Sequence, residues 1–473
     1  MPPQPPIVRS PSHWFFGAAY HAQRDPFRWV TAWIQEYGDI FTITSPFGSA
    51  TVLANPEWAH QILVERYSRY QEKSLSYIVL RMLMGNGLVT SSGDFWRGQR
   101  KLAQPAFHRR RLDAIFQMMV ERSTACANQF AGAAESGEAI DVAPALSHLT
   151  LEIITRAMFS ADVDGTASDV SSHINALNEY SIRLLRNPWL FLLPRKIPTP
   201  FTKADYAART TLNRIVTGII DQRRRRGGEH DDLLSMLLSA CDEETGRGMS
   251  DDQLRDEVMT IFIAGHETTA NAMCWLLYLV AQHPEIEQRL IAEIDAAWNS
   301  DRLTSGNLAS FPYTRQVIEE SLRLYPTIWS VGRRCGEDDE IGGHRIRKGM
   351  NIFVPIFHFH WSERYWPEPQ RFDPDRFSAE RRPPTEPMVY FPFGAGPRSC
   401  IGNHFAMQEL IIMTAVFFRR FRFRLETGFT AELDPLITLR PKYGMRLRVL
   451  PREDGSDDGS ESVSMPARID AEI

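Results

Sequence analysis

The 473-residue chain is poor in cysteine. Its five cysteines, Cys126, Cys241, Cys274, Cys335 and Cys400, are odd in number, lie far apart and form no C-x-x-C pair. That pattern argues against both a disulfide framework and a structural zinc site. The N-terminus also lacks the apolar core of a signal peptide. Together these absences favour a reducing, cytoplasmic location.

An excess of charge of one sign is lacking as well, because the formal net charge is only −5. We therefore expect no general attraction to nucleic acid. With 43% hydrophobic and 23% charged residues, the chain can fill a large core. No Gly/Ser linker divides residues 25–450, which predicts one domain there. A proline-rich segment, residues 1–24, precedes it, and residues 451–473 form an acidic tail that we expect to be disordered.

One long apolar stretch, residues 258–281, resembles a membrane span at first sight. Glu267 lies in its middle, and an ionisable group inside lipid is costly. We therefore predict a helix buried in protein and no integral membrane segment. Ser250 followed by Gln253 is typical of a helix start, and Pro284 predicts the end.

The remaining patterns predict a mainly helical protein with small sheets. Residues 39–54 alternate like two paired strands, and residues 56–325 have mostly helical spacing. Strand signals return at residues 340–357. A long final helix is predicted after Pro392.

The stretch "FPFGAGPRSCIGNHFA", residues 391–406, sets Cys400 between a glycine-rich loop and a helix. Its glycines permit tight turns and close approach to a flat ligand. Helical amides directed at the sulfur predict a lowered pKa, and the thiolate is the form that ligates iron. Arg398 can pair with an acidic group of the same ligand. A buried cysteine in a glycine-rich turn is the alternative interpretation.

This loop resembles the haem-binding loop of the cytochrome P450 family, Phe-x-x-Gly-x-Arg-x-Cys-x-Gly. The resemblance implies that Cys400 is the axial ligand of haem iron. It also implies that Phe393 shields the sulfur and that Arg398 binds a propionate. Gly394 and Gly402 are carried over as neighbours of the haem.

Residues 263–269, "IAGHETT", are similar to the oxygen-activation motif of the same family. The resemblance implies that Glu267 and Thr268 deliver protons and that Ala264 contacts the haem. Taken alone, the threonine could instead bond back to the preceding turn, with the acid at a surface seam.

Two further motifs fit the family. Glu320 and Arg323 in "EESLRLYP" would alone be a surface ion pair, but the resemblance adds Arg376 and implies a buried structural triad supporting the haem loop. Trp96 and Arg100 in "FWRGQRK" are carried over as haem contacts, although Trp96 alone would be an ordinary core residue.

The resemblance implies an α+β fold of the P450 type, mainly α with small β-sheets. In this triangular helical prism the haem lies between the long central helix and the cysteine-loop helix. It implies a monomeric monooxygenase with haem b and no bound flavin, which inserts one oxygen atom of O2 into a hydrophobic substrate by hydroxylation or epoxidation. A same-fold peroxygenase or isomerase and a non-catalytic haem sensor are the alternatives.

The substrate and the electron source are less closely defined. Apolar segments that resemble pocket walls, residues 74–89, 183–194, 325–332 and 435–440, favour a fatty acid or a terpenoid. Electrons are expected from a separate ferredoxin or flavodoxin with an NAD(P)H-dependent reductase. The basic residues 97–111 are the predicted docking surface, and a merely solvated helix is the equal alternative.

Overall fold

The structure is a computed structural model. It describes residues 7–9, 25–45, 48–74, 77–161, 173–174, 176–177, 180, 200–226, 232–239, 248–298, 302–382, 384 and 386–452. Most of the proline-rich N-terminal segment, nearly all of the acidic tail and the whole pocket-wall segment 183–194 lie outside these residues.

Helices make up most of the described chain, as predicted. In chain order they are α1 (Pro26–Tyr37), α2 (Pro56–His60), α3 (Tyr77–Met84), α4 (Gly93–Ala103), α5 (Arg109–Ser136), α6 (Ala143–Phe159), α7 (Pro200–Arg226), α8 (Leu233–Ser239), α9 (Asp251–Ala281), α10 (Pro284–Ala297), α11 (Pro312–Leu324), α12 (Ile356–Trp361) and α13 (Asn403–Arg420).

The strands are short and form small sheets. They are β1 (Val8–Arg9), β2 (Ile40–Ser45), β3 (Gly48–Leu53), β4 (Ala139–Asp141), β5 (Val331–Arg334), β6 (Asp339–Ile341), β7 (His344–Ile346), β8 (Asn351–Val354), β9 (Phe421–Leu425), β10 (Leu433–Pro435), β11 (Leu439–Pro441) and β12 (Arg446–Pro451).

The largest sheet has the order β1-β2-β3-β8-β5. Its β2–β3 pair is antiparallel, with Ile40 opposite Leu53, which confirms the strand pair predicted near the front of the chain. A second sheet has the order β4-β12-β9, and β6–β7 and β10–β11 form two-stranded pairs. The predicted strand region 340–357 contains most of β6 and all of β7 and β8, but its last residues begin α12.

Helix α9 is the central element, and its predicted limits are confirmed. The Ser250 side chain accepts a hydrogen bond from the Gln253 amide at 3.3 Å, and the helix runs for 31 residues to Ala281. Nearly its whole surface is buried, and Gly265 lets it approach α6, since a Cβ there would lie 2.8 Å from Ile154. Among the described helices, none combines the length and apolarity needed to cross a membrane.

Candidate active site

The cysteine loop is a compact turn that leads into α13. The Cys400 amide donates to the Phe393 carbonyl at 2.8 Å, and the Gly394 amide donates to the Phe391 carbonyl at 2.9 Å. Gly394 has φ +73°, a left-handed conformation that glycine adopts without strain. The loop therefore holds the cysteine in one defined position just before the helix.

Gly396 also has a left-handed conformation, with φ +67°. A Cβ at this position would lie 2.0 Å from the Leu63 carbonyl oxygen. We expected glycines of this loop to allow close approach to a flat ligand. For Gly396 the close approach is instead to protein backbone, so its requirement is structural.

The Cys400 side chain is accessible, whereas Cys126, Cys274 and Cys335 are buried. Although accessible, the sulfur lies deep in the protein, and burial raises the pKa of its thiol. The Gly402 N–H and the Arg100 guanidinium oppose this rise. The predicted lowering of the pKa was therefore wrong in sign, because desolvation outweighs the amides. A coordinated metal ion deprotonates a thiol by itself.

Two arginines flank the cysteine and share an aromatic neighbour. Trp96 is buried, and the guanidinium carbons of Arg398 and Arg100 lie 4.2 and 5.8 Å from its ring centroid. Arg100 Nη1 also donates to the Ser399 carbonyl at 2.8 Å. The structure thus brings four predicted haem contacts, including Cys400, into one cluster.

Two more cations join this cluster, Lys73 and Arg333. Burial, together with Arg333 and Arg398, lowers the pKa of Lys73 well below its usual value. Burial, together with Arg333 and Arg100, lowers the pKa of Arg398 to about 9. Burial likewise lowers the pKa values of Arg100 and Arg333.

Within the described part of the chain, no carboxylate forms an ion pair with Lys73, Arg100, Arg333 or Arg398. The buried Nε of Arg398 also has no hydrogen-bond partner there. Buried cations normally require counter-charges. This set of donors therefore fits an anionic ligand with more than one acidic group. Haem is such a ligand, because it carries two propionates. Sequence reasoning missed Lys73 and Arg333, because their distance from the motifs gives no spacing signal.

Within its buried part, helix α9 has one site that is partly accessible to solvent. Between Glu257 and Ala281 every residue is buried except Ala264, Gly265 and Thr268, which are partly exposed. Ala264 and Thr268 are one turn apart and share a face. The Thr268 hydroxyl donates back to the Ala264 carbonyl at 2.8 Å, the local bond considered as the alternative from sequence. The back-bond and an accessible position therefore coexist in this threonine.

Glu267 is buried and does not lie at a surface seam. Its Oε1 accepts a hydrogen bond from the Thr438 hydroxyl at 2.7 Å. The Asn271 side chain in turn donates to the Thr438 oxygen at 3.2 Å. The acid is therefore held by a side chain from the β10–β11 turn, which no sequence motif indicated.

A contact between α9 and α13 lies next to the acid–threonine pair. Helix α9 carries that pair, and α13 begins directly after the cysteine loop. Thr269 of α9 lies beside Glu409 of α13. Burial raises the pKa of Glu409 well above its usual value, and the contact with Thr269 opposes this rise.

The predicted triad is assembled away from the surface. Glu320 and Arg323 are joined by hydrogen bonds of 2.7 and 2.8 Å, and Arg376 Nε lies 3.3 Å from Glu320 Oε1. Arg323 Nη1 donates to the carbonyl of His360 at 2.7 Å, and the Asp373 amide donates to Glu320 at 3.0 Å. The triad therefore ties α11 to the irregular segment before the cysteine loop. Its support of the haem loop stays a prediction.

Three of the four predicted pocket-wall segments include described residues that bond to α9 or to each other. The Leu439 amide donates to the Thr327 carbonyl at 2.9 Å, and Trp329 Nε1 donates to the Leu436 carbonyl at 3.0 Å. The Leu88 amide donates to Glu257 of α9 at 2.9 Å.

The site combines a thiol on a glycine loop, largely buried cations without carboxylate partners and a long helix with a partly accessible threonine, and this arrangement fits a haem-thiolate type of site. The chain matches the family model described as Cytochrome P450 over residues 5–446, and it belongs to that family. Its α+β fold and its activity as a monooxygenase follow from this membership.

Relatives from bacteria cover most of the chain. It is 33% identical over 407 residues to the cyclooctat-9-en-7-ol 5-monooxygenase of Streptomyces melanosporofaciens, which covers 86% of this chain and 87% of the relative. It is 31% identical over 441 residues to the pentalenene oxygenase of Streptomyces avermitilis, covering 93% and 96%.

Proposed function

We propose that this enzyme uses haem b to hydroxylate or epoxidise a cyclic terpenoid, with electrons from a separate ferredoxin or flavodoxin and its reductase. The observation that carries the cofactor proposal is the cluster of partly or fully buried cations near Cys400. A fatty acid is the second substrate class.

When bound, haem iron with a thiolate ligand would supply reductive oxygen activation and insertion of one oxygen atom into the substrate. Cys400 would provide the thiolate, and Lys73, Arg333 and Arg398 would hold the propionates. Glu267 moves protons towards the accessible face of α9. Thr268, which is partly accessible on that face, orients the proton delivery through its hydroxyl.

The substrate proposal rests on the pocket walls and on the relatives. The described wall segments are apolar, which favours binding by burial of hydrophobic surface. Two relatives are named for the oxygenation of cyclooctat-9-en-7-ol and pentalenene, both cyclic terpenoids.

The partner proposal rests on a basic groove beside the cysteine loop. The groove has a volume of about 630 Å³ and includes Gly396 and Pro397 of the loop. Basic side chains that line it are Arg97, Arg100, Lys101 and His108. Arg109 and Arg110 follow directly and are exposed. An acidic electron carrier is complementary to this surface.

Two measurements test these proposals. Ferric protein is titrated with cyclic terpenes, fatty acids and steroids while the visible spectrum is followed. We expect the cyclic terpenes to shift the spectrum at the lowest concentrations, and tighter binding of fatty acids would contradict the substrate class.

The second measurement tests the docking surface. The rate of reduction by ferredoxin should fall steeply as the salt concentration rises, and more so for wild type than for R109Q/R110Q. Equal salt dependence would contradict the docking surface.

A third measurement tests Thr268. T268A should release more peroxide per NADPH oxidised, because the hydroxyl that orients proton delivery is lost. T155V is the matched control, since Thr155 is a buried threonine that bonds within α6. Equal coupling in T268A and T155V would contradict the role.

A further inference from the structure

The β10–β11 turn carries a buried hydroxyl that bonds directly to the acid of α9. Thr438 and Glu267 are 3% and 7% exposed, and their oxygens are 2.7 Å apart. This short bond links residues far apart in the chain.

The direction of the bond is set by a third residue. Asn271 Nδ2 donates to the Thr438 oxygen at 3.2 Å. Because the amide nitrogen can only donate, the acceptor for the Thr438 hydroxyl proton is Glu267 Oε1. Oε1 is therefore an acceptor, and a proton carried by this carboxyl belongs on Oε2.

The turn itself is fixed from two sides. Trp275 Nε1 of α9 donates to the Leu439 carbonyl at 3.1 Å. The Leu439 amide donates to Thr327, and Trp329 donates to Leu436. These bonds hold Thr438 in place, so its hydroxyl is preorganised before Glu267 changes its protonation state.

We propose that Thr438 is a positioning residue for proton delivery by Glu267. Its hydroxyl holds Oε1 as an acceptor, so the proton that the carboxyl gives up and regains is carried on Oε2. It also stabilises the carboxylate that remains after the proton has left, because a hydrogen bond to a charged acceptor is stronger than one to a neutral acceptor. The inference rests on the proposed role of Glu267 in proton delivery.

The test compares four variants of the full-length haem protein. T438V removes the hydroxyl at nearly constant shape, and T438S restores it. E267Q removes the acid, and T155V again removes a buried hydroxyl elsewhere. The first readout is the infrared carboxyl band that disappears in E267Q. The second is peroxide released per NADPH oxidised, measured with the tightest ligand of the titration panel.

We expect T438V to shift the Glu267 band and to raise peroxide release about tenfold, with T438S within about twofold of wild type. T155V should change neither readout. The double variant E267Q/T438V should be no worse than E267Q, because both changes act through one group.

The outcomes separate the two proposals. If E267Q uncouples turnover while T438V leaves both the band and the coupling unchanged, the positioning role is wrong and the acid's role stands. If E267Q itself leaves coupling unchanged, the acid's role fails and the inference fails with it. Uncoupling in T438V without rescue by T438S would also overturn the inference, since a general packing defect would then explain it.

Discussion

Arg323 binds Glu320 through two hydrogen bonds, of 2.7 and 2.8 Å, and neither side chain is accessible to solvent. Breaking a buried pair leaves uncompensated polar groups, whereas an exposed pair contributes little. We therefore expect R323M, which removes the cation and leaves the Glu320 carboxylate buried, to lower the free energy of unfolding by about 3–5 kcal/mol. Urea unfolding of the purified protein measures the effect, and haem content should fall with it.

The chain offers a matched control for this variant. Arg289 binds Asp375 with the same two-point geometry, at 2.9 and 2.8 Å, but its side chain is 53% exposed. R289M should lower the free energy of unfolding by less than about 1 kcal/mol. Equal losses in the two variants would show that burial does not determine the strength of the triad.

Cys400 is the accessible thiol among the described cysteines. We expect C400S to abolish the far-shifted Soret band of the reduced carbon monoxide complex, because that band requires a thiolate ligand. C126A changes a buried cysteine and should leave the spectrum unaltered. A C400S protein with an unchanged spectrum would contradict the assignment of the iron ligand.

Lys73 repels Arg333 and Arg398 in a largely buried cluster. Replacing it by methionine should relieve this repulsion in haem-free protein but weaken the hold on the propionates. K73M should therefore lose haem to an apoglobin acceptor about tenfold faster, without a decrease in the unfolding free energy of the haem-free form. K442M, at an exposed position, is the control. Equal rates of haem loss in K73M and K442M would argue against a role for the cluster.

Sequence reasoning succeeded where the signal was local. The start of α9 at Ser250 and the two-strand pattern of residues 39–54 depend on neighbours in the chain, and both are confirmed. The cysteine loop was recognisable because its glycines, arginine and thiol lie within ten residues.

The features of the site that could not be predicted from the sequence depend on contacts between distant segments of the chain. Thr438 reaches Glu267 only after the β10–β11 turn packs on α9. Lys73 joins Arg398 only in the folded chain. The direction of the Cys400 pKa shift was predicted wrongly for the same reason. The sequence shows the nearby amides, but the burial of the thiol is set by the whole fold.

Glu257 provides a pH-dependent test of how the loop before α4 is attached to α9. Its carboxylate accepts from the Leu88 amide at 2.9 Å, and it is 1% exposed. Burial raises the pKa of Glu257 from 4.5 to about 7, the Leu88 amide opposes that rise, and Asp256 adds to it. Between these values the folded protein keeps a proton that the unfolded chain has lost, so stability falls as pH rises through this window.

E257Q cannot titrate but keeps an acceptor for Leu88. Between pH 4.5 and 8, the wild type should lose about 3 kcal/mol of unfolding free energy relative to E257Q. Urea unfolding at both pH values measures the difference, and E135Q, at an exposed position of α5, should behave as wild type. If the difference in unfolding free energy between wild type and E257Q stayed constant across this pH range, Glu257 would have the same pKa in the folded and unfolded chains. Burial would then not be raising its pKa.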